Sequence, residues 1–325
     1  MKVKDEVLKK LEENKGDFFS GASLANDLKV SRNAIWKAVN SLKNEGYNIS
    51  SVTNKGYCLS NDSDIISKQS ISKYIATKAP LDIQVFQTVT STNTVLKEMA
   101  AKGAAEGTVV IATNQTNGRG RLGRSFHSPA DTGIYFSILL RPKMSAENSL
   151  FLTTSAAVAI AKAIEDVKDC RADIKWVNDI YINNKKVCGI LTEGSFNVEN
   201  NELDYAIVGI GINILPPKDD FPEDIKNKAG AIFSQGEDVS EVSSKLVAHV
   251  LNYFFDYYNN LTSKSFFEEY KSRSFLLGKD IHILDGNGKI PATAIDLDES
   301  CHLIVRLEDG TTKELSSGEV SVIMD

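Results

Sequence analysis

Residues 107–142 read strand, loop, strand, and this order decides which fold the glycines between them can serve. The loop "NGRGRLGRSF" (117–126) has Gly-x-Gly-x-x-Gly spacing at Gly118, Gly120 and Gly123. In a dinucleotide-binding fold such glycines leave a strand and open a helix whose N-terminus holds the pyrophosphate. Here "GTVVIATNQ" (107–115) supplies the strand, but "RSFHSPADTG" follows, with Pro129 and Gly133, and then the apolar run "IYFSILLRP" makes a second strand. No helix begins at the loop, so that fold is excluded. A kinase glycine loop does join two strands, but the chain lacks H-R-D and D-F-G elements. The charge comes from Arg119, Arg121 and Arg124. Three like charges on a glycine-rich segment repel one another until an anion arrives, so a ligand is expected to order the loop.

With 325 residues and 42% apolar content, the chain can bury more than one core, and two or three domains are expected. The N-terminal "MKVKDEVLKKLEENKGDF" is charged throughout and has no apolar h-region, and no stretch of about 18 apolar residues occurs, so neither a signal peptide nor a membrane span is expected. A cytoplasmic protein follows. Cys58, Cys170, Cys188 and Cys301 show no metal-ligand or disulfide spacing and are read as reduced, with no metal site. The net charge of −6 is uneven: residues 1–64 carry ten Lys/Arg against nine Asp/Glu, and the remainder 27 against 34. Charge alone therefore says nothing for or against nucleic-acid binding by the N-terminal part.

The first sixty residues read helix, helix, helix, hairpin. Val7, Leu8 and Leu11 share one face, a short helix spans about Ala22 to Leu28, and a longer one follows from the N-cap Ser31 to the stop at Gly46. In it Ile35, Val39 and Leu42 make the core stripe, with Trp36 placed beside them. "NISSVTNKGYCLS" then makes two short strands around Asn54-Lys55-Gly56. This is a winged helix-turn-helix. Asn33, Lys37, Asn40 and Asn44 recur at helical spacing on the other face, and such side chains read base edges and phosphates in the major groove. Arg32, Asn33, Lys37, Asn40 and the wing-tip Lys55 form the candidate DNA-binding set, and a domain boundary is expected at residue 65.

Further along, "TVTSTNTVLKEMAAKG" places Ser91, Thr92 and Asn93 at a strand-to-helix junction, where hydroxyls and free N–H groups serve equally as helix caps or as ligand contacts. Gly189, Gly209 and Gly211 lie in apolar strands, which suggests backbone approaching a ligand closely. "SLFLTTSAAVAIAKAIEDV" is an apolar helix under the sheet, and Trp176 is read as core. From about Lys279 the period becomes 2, with turns at Asp285-Gly286 and Asp309-Gly310, which predicts a small five-stranded barrel.

"GRGRLGR" (118–124), "KWVNDIYI" (175–182), "KKVCGILTEG" (185–194) and "VGIGINI" (208–214) resemble, in that order, the consecutive motifs of biotin protein ligases. The winged helix makes the chain similar to the bifunctional members that are also biotin operon repressors. Two departures stand out: Val177 where the family usually has proline, and Phe126 where it often has tryptophan. The resemblance implies an α+β protein of three domains: a winged helix-turn-helix (1–65), a mixed α/β catalytic domain of the biotin/lipoate-ligase type (66–272) and an SH3-like barrel (273–325). It implies ATP-dependent formation of biotinyl-5'-AMP, with Mg2+, and biotin transfer to a lysine of a biotin carboxyl carrier protein.

By the same resemblance, Lys186 contacts both the biotin carboxylate and the α-phosphate, and Arg121 is catalytic beside it. Asp179 holds or helps deprotonate the acceptor lysine. Ser91, Thr92, Asn93 and Gln115 face the ureido ring, and Gly118, Arg119, Gly120, Arg124, Phe126, Gly189 and Gly209 line the adenylate site. Asn213 contacts the nucleotide, and Glu319 lies on its side. Lys185, one residue from Lys186, points to the opposite sheet face. Operator DNA and a homodimer promoted by biotinyl-AMP complete the expected partners, with no membrane. Two alternatives stay open: lipoate or octanoate attachment on the same core, and a ligand-sensing repressor without ligase activity.

Overall fold

The computed structural model describes residues 2–197, 202–285 and 288–322. Packing divides the chain into two compact units, Met1–Ala76 with Asp238–Ala248, and Thr77–Glu237 with His249–Asp325. Among the described residues no helix is long and apolar enough to cross a membrane.

The first unit contains helices α1 (Val3–Glu12), α2 (Gly21–Asp27) and α3 (Arg32–Asn44), an antiparallel hairpin of β1 (Ile49–Val52) and β2 (Gly56–Leu59), and a short α4 (Lys68–Ser72). Ser20 and Ser31 cap α2 and α3, accepting from the N–H groups of Ser23 at 2.9 Å and Ala34 at 3.1 Å. Val7, Leu11, Leu24, Ile35, Val39, Leu42, Ile49 and Leu59 form one buried cluster, and each such side chain contributes about 1.5–3 kcal/mol of apolar burial. The hairpin turns through Asn54 and Gly56, both at positive φ, and a Cβ on Gly56 would stand 2.0 Å from the Phe19 carbonyl oxygen.

One feature of this unit is a nearly buried carboxylate. Glu12 is 2% exposed, with the ammonium groups of Lys15 and Lys73 at 3.5 and 3.6 Å. Both lysines also reach Glu241, at 2.9 and 2.7 Å, and the Tyr74 hydroxyl donates to the same carboxylate. Burial raises the Glu12 carboxyl above its usual range. Burial opposes ionisation of Glu241 too, but Lys73, Tyr74 and Lys15 outweigh it and hold that carboxyl at about 2.

The second unit is built on a seven-stranded sheet. Its strands and helices follow as β3 (Asp82–Val89), α5 (Thr92–Ala101), β4 (Thr108–Gln115), β5 (Gly133–Leu140), α6 (Leu150–Val167), β6 (Asp173–Lys175), β7 (Asp179–Ile182), β8 (Lys185–Asn197) and β9 (Glu202–Asn213). The sheet order is β3-β4-β5-β9-β8-β7-β6, and only the β3/β4 pair is parallel. On one face α5 buries Leu96 and Ala100 against Val110, Leu139 and Ile207. The apolar α6 covers the opposite face, where Thr153 meets Thr192 at 2.7 Å.

Helices α7 (Val242–Asn259) and α8 (Phe267–Ser272) follow, α7 belonging to this unit from His249 onward. A five-stranded antiparallel sheet of β10 (Asp280–Asp285), β11 (Gly288–Leu297), β12 (Leu303–Leu307), β13 (Thr312–Leu315) and β14 (Glu319–Val322) closes the chain in the order β13-β12-β11-β10-β14. These are the five strands that period 2 predicts. Gly286 of the expected turn and the side chain of Glu319 lie outside the described residues.

Candidate active site and DNA-reading face

Strand register lays out the floor of the site. Asp179, Gly189, Gly211 and Tyr135 stand in one row across β7, β8, β9 and β5, and Leu191, Gly209 and Ser137 make a parallel row on the same face. The glycines there do not face open space. A Cβ on Gly211 would come within 2.6 Å of the Phe126 ring, one on Gly209 within 2.0 Å of Asn93 Oδ1, and one on Gly189 within 3.1 Å of Phe126 and 3.2 Å of Lys186. The close approach that these strand glycines permit is therefore made by the site's own side chains.

The roof is the loop between β4 and β5. Its backbone closes on itself, with Gly120 N–H donating to the Arg124 carbonyl at 2.7 Å and Phe126 N–H to that of Gly118 at 2.9 Å. A Cβ on Gly118 would stand 2.3 Å from the Phe126 carbonyl oxygen, so this glycine serves the closure. The loop is not held by its own bonds alone. Arg121 Nη1 donates to Asn178 Oδ1 at 2.9 Å, and Arg119 Nη1 lies 3.0 Å from Glu193 Oε1. Phe126 reaches under the loop, edge-on to Tyr135 with ring centroids 6.3 Å apart.

Lys186 enters from the β7–β8 hairpin, whose Asn183 and Asn184 both take positive φ, as a tight two-residue turn requires. Its ammonium lies 2.6 Å from Asp179 Oδ1. Lys185 points away, donating to the Asn227 carbonyl at 2.8 Å, as strand alternation predicts. Residues 228–230 run beside Lys186 and grip its backbone: Lys186 N–H donates to the Lys228 carbonyl at 2.7 Å and Gly230 N–H to that of Lys186 at 2.8 Å.

At the start of α5, Ser91 occupies the N-cap position but makes no side-chain cap bond. Gln115 takes that task, its Oε1 accepting from Thr92 N–H at 2.8 Å while its Nε2 donates to Ser128 Oγ at 3.0 Å. Asn93 is committed to protein partners. Its Oδ1 lies 2.6 Å from Ser137 Oγ, and its Nδ2 donates to Glu193 Oε2 at 2.9 Å and to the Leu191 carbonyl at 3.3 Å.

One cavity is lined by Ser91, Thr92, Asn93, Gln115, Arg119, Gly120, Arg121, Arg124, Phe126, Asp179, Lys186, Gly189 and Gly209. Gly118 and Asn213 are not in its lining. Asn213 instead donates to the Gly230 carbonyl at 2.9 Å. Trp176 sits at the cavity edge yet is only 4% exposed, its indole N–H donating to the Cys301 carbonyl at 3.0 Å. Three residues that sequence reading passed over complete the site: Asn178, Glu193 and Ser137. Parity was the available signal for Glu193, since 189, 191 and 193 alternate onto one face. For Ser137 it was a lone hydroxyl inside the apolar run "IYFSILL". Among the described residues, arginines and lysines gather around a single lining carboxylate, Asp179, so the cavity is built for an anion.

In the first unit, Arg32, Asn33, Lys37 and Lys55 are exposed and Asn40 is half-buried. Trp36 departs from the expected core stripe: it is 54% exposed. The reason is helical geometry. A step of 100° from Ile35 carries Trp36 off the stripe, and Ala38 fills the core with Ile35, Val39 and Leu42 instead. Trp36 thus lies one turn from Arg32 and one from Asn40, within the polar face.

Residues 85–213 match the biotin/lipoate A/B protein ligase family, residues 4–58 an HTH domain, and residues 276–322 the biotin protein ligase C-terminal domain. The chain is 33% identical over 306 residues to the bifunctional ligase/repressor BirA of Bacillus spizizenii, covering 93% of each, and 23% identical to that of Escherichia coli, covering 94% of each. It is also similar to the solved structure of a biotin protein ligase from Aquifex aeolicus in complex with biotin and ATP, with a TM-score of 0.61 and 31% identity over 75% of this chain and 99% of that one.

Proposed function

From the premise that the chain belongs to the family of bifunctional biotin ligase/repressors, we propose that its cavity joins biotin to ATP and passes the biotin to a protein lysine. A biotin carboxylate oxygen attacks the α-phosphorus, the bond to the bridging oxygen breaks, and pyrophosphate leaves. The neutral lysine amine of an acceptor then attacks the carbonyl carbon of the mixed anhydride, and AMP leaves with the electron pair of the broken C–O bond. The observation that carries this reading is the convergence of Arg119, Arg121, Arg124 and Lys186 on one glycine-floored cavity beside Asp179.

The first step brings two anions together, so cations that are already in place lower its barrier. At an effective dielectric near 20, a unit charge about 4 Å from a phosphate is worth up to ~4 kcal/mol. Lys186 is the central cation, held by Asp179 until phosphate oxygens replace that partner. Asp179, released, then positions the acceptor amine or takes its proton. Ser91, with its hydroxyl not spent on capping, faces the ureido ring. Thr92, Asn93 and Gln115 act mainly by fixing the pocket wall. Gly118 shapes the loop, and Asn213 acts through its hold on Gly230.

Mg2+ is a further expectation. It needs only one or two protein carboxylates when phosphates supply other oxygens, and Asp179, the carboxylate that lines the cavity among the described residues, would hold it once Lys186 turns to the phosphates. When bound, it adds positive charge on the triphosphate. The acceptor is a biotin carboxyl carrier protein, and the chain works in the cytoplasm. Three functional domains, 1–65, 66–272 and 273–325, divide the work, the first binding operator DNA through Arg32, Asn33, Lys37, Asn40 and Lys55. Biotinyl-AMP promotes a homodimer, because one winged helix reads too few base pairs for genomic specificity.

The test is ATP-dependent labelling of a carrier-domain lysine, with pyrophosphate exchange driven by biotin, lipoate or octanoate in parallel. Exchange driven by lipoate and not by biotin would give the alternative ligase. No exchange with any acid, while biotin still binds, would leave a ligand-sensing repressor.

A further inference from the structure

A chain of hydrogen bonds runs along the cavity from its roof into the sheet behind its floor, and Glu193 is the one carboxylate in it among the described residues. The chain starts at Arg119 on the loop, whose Nη1 lies 3.0 and 3.2 Å from the two Glu193 oxygens. From Glu193 it runs to Asn93 at 2.9 Å, from Asn93 to Ser137 at 2.6 Å, and from Ser137 to Thr92 at 2.7 Å. It continues through Gln115 to Ser128, at 3.2 and 3.0 Å, and Ser128 is where the loop returns to the sheet. The wall at the start of α5 and the arginine loop above it are thus one connected network, and the only link between Asn93 and Arg119 in it is Glu193.

A carboxylate here is costly on its own. Glu193 is only 23% exposed at its side chain, and it stands beside a cavity whose substrates are anions, where like charge weakens binding. Its two partners account for its presence. It accepts from a neutral amide that must not rotate and from a guanidinium that would otherwise be free to leave the cavity. We propose that Glu193 is a positioning residue for the ligase reaction: it places Arg119 over the cavity and ties that placement to the Asn93 wall, so that the biotin pocket and the anion-binding loop form together. This rests on the ligase reading above and adds to it a residue that touches neither substrate. It also makes the contribution of Arg119 conditional on Glu193.

The experiment is a double-mutant cycle on the full-length protein with biotin-dependent pyrophosphate exchange as the readout. Glu193→Gln keeps an oxygen for Asn93 and removes the charge that holds Arg119. The biotin KM is expected to rise about tenfold, the worth of one charge-assisted hydrogen bond, with kcat for transfer to the acceptor lysine within about twofold of wild type. Arg119→Ala in the wild-type background should cost about as much, and in the Glu193→Gln background should add less than about twofold. Glu193→Ala, which also releases Asn93, should raise the biotin KM further than Glu193→Gln does. A merely structural role would lower kcat and kcat/KM together and leave the two sites additive. Wild-type behaviour of Glu193→Gln, or costs that multiply in the double variant, overturns the proposal while leaving the ligase reading standing. If the wild type shows no exchange with biotin, the ligase reading fails and the proposal fails with it.

Discussion

Lys186 and Asp179 hold each other at 2.6 Å, and the proposed reaction exchanges that contact for substrate. Lys186→Ala removes the central cation while leaving the hairpin that presents it. Biotin-dependent pyrophosphate exchange is expected to fall by far more than tenfold, or about 1.4 kcal/mol, with the thermal transition retained. Exchange within tenfold of wild type would show that the loop arginines suffice. The resemblance of the motifs around them pointed to both of these groups. It did not show that Gly209 and Gly211 make room for Asn93 and Phe126, because a strand glycine looks the same in sequence whether a ligand or a neighbouring side chain lies above it.

At the scale of elements, the loop between β4 and β5 works because β7 and β8 anchor it. Asn178 receives Arg121 at 2.9 Å while donating to the Ile190 carbonyl at 2.8 Å, so it is itself fixed to the sheet. Asn178→Ala should let Arg121 swing and speed release of the adenylate by about 10- to 150-fold, the equivalent of a charge-assisted hydrogen bond of roughly 1.5–3 kcal/mol. Stopped-flow release of biotinyl-AMP measures this, and the variant should label bystander lysines. Helix α3 offers a second test. The chain has two tryptophans, and Trp36 is the exposed one, 54% against 4% for Trp176. Its fluorescence should be quenched by iodide in the free protein and protected by operator DNA. Protection by neither specific nor non-specific DNA would remove α3 from the DNA-reading face.

At the scale of the whole molecule, the proposed function couples the ligase and repressor activities through one ligand. An adenylate that promotes dimerisation must bind the dimer more tightly by the same factor, and a palindromic operator then binds the dimer in preference to the monomer. Biotinyl-AMP is expected to raise both dimer formation in sedimentation and operator affinity, and Lys37→Ala to lose the operator step alone. Equal operator affinity for the ligand-free monomer would break the coupling and leave the ligase intact. The first unit also carries its own response to acid. Glu241 is depressed from an ordinary 4.5 to about 2, so its ion pairs stabilise the fold above pH 4.5, and that contribution is lost as pH falls from 4.5 toward 2. Thermal melts between pH 5 and 2.5 should show this loss, and Glu241→Gln should flatten it. Glu12 works in the opposite direction and at higher pH: burial raises its carboxyl above 4.5, so its buried charge is relieved as pH falls toward 4.5, before the Glu241 pairs are lost.

Read residue by residue, the chain already showed its three successive patterns, the strand-loop-strand setting of the arginines and the positive charge of their loop. All of these are local, written in periodicity, turn residues and charge within a few positions. The packing of strands, helix and loop that are distant in sequence decided the rest. It set Glu193 beside Arg119 and Asn93, 74 and 100 residues away, and it put Gly189 opposite Gly211. It also gave the capping of Thr92 to Gln115, 23 residues further on. Trp36 was misplaced for a smaller reason: one 100° step along a helix separates core from surface, and apolarity alone does not say which side of that step a tryptophan takes. Side chains that hold other side chains carry no signature of their own in a single sequence, since any Asn, Ser or Glu has the same hydrogen-bonding groups, and only the folded sheet assigns their partners.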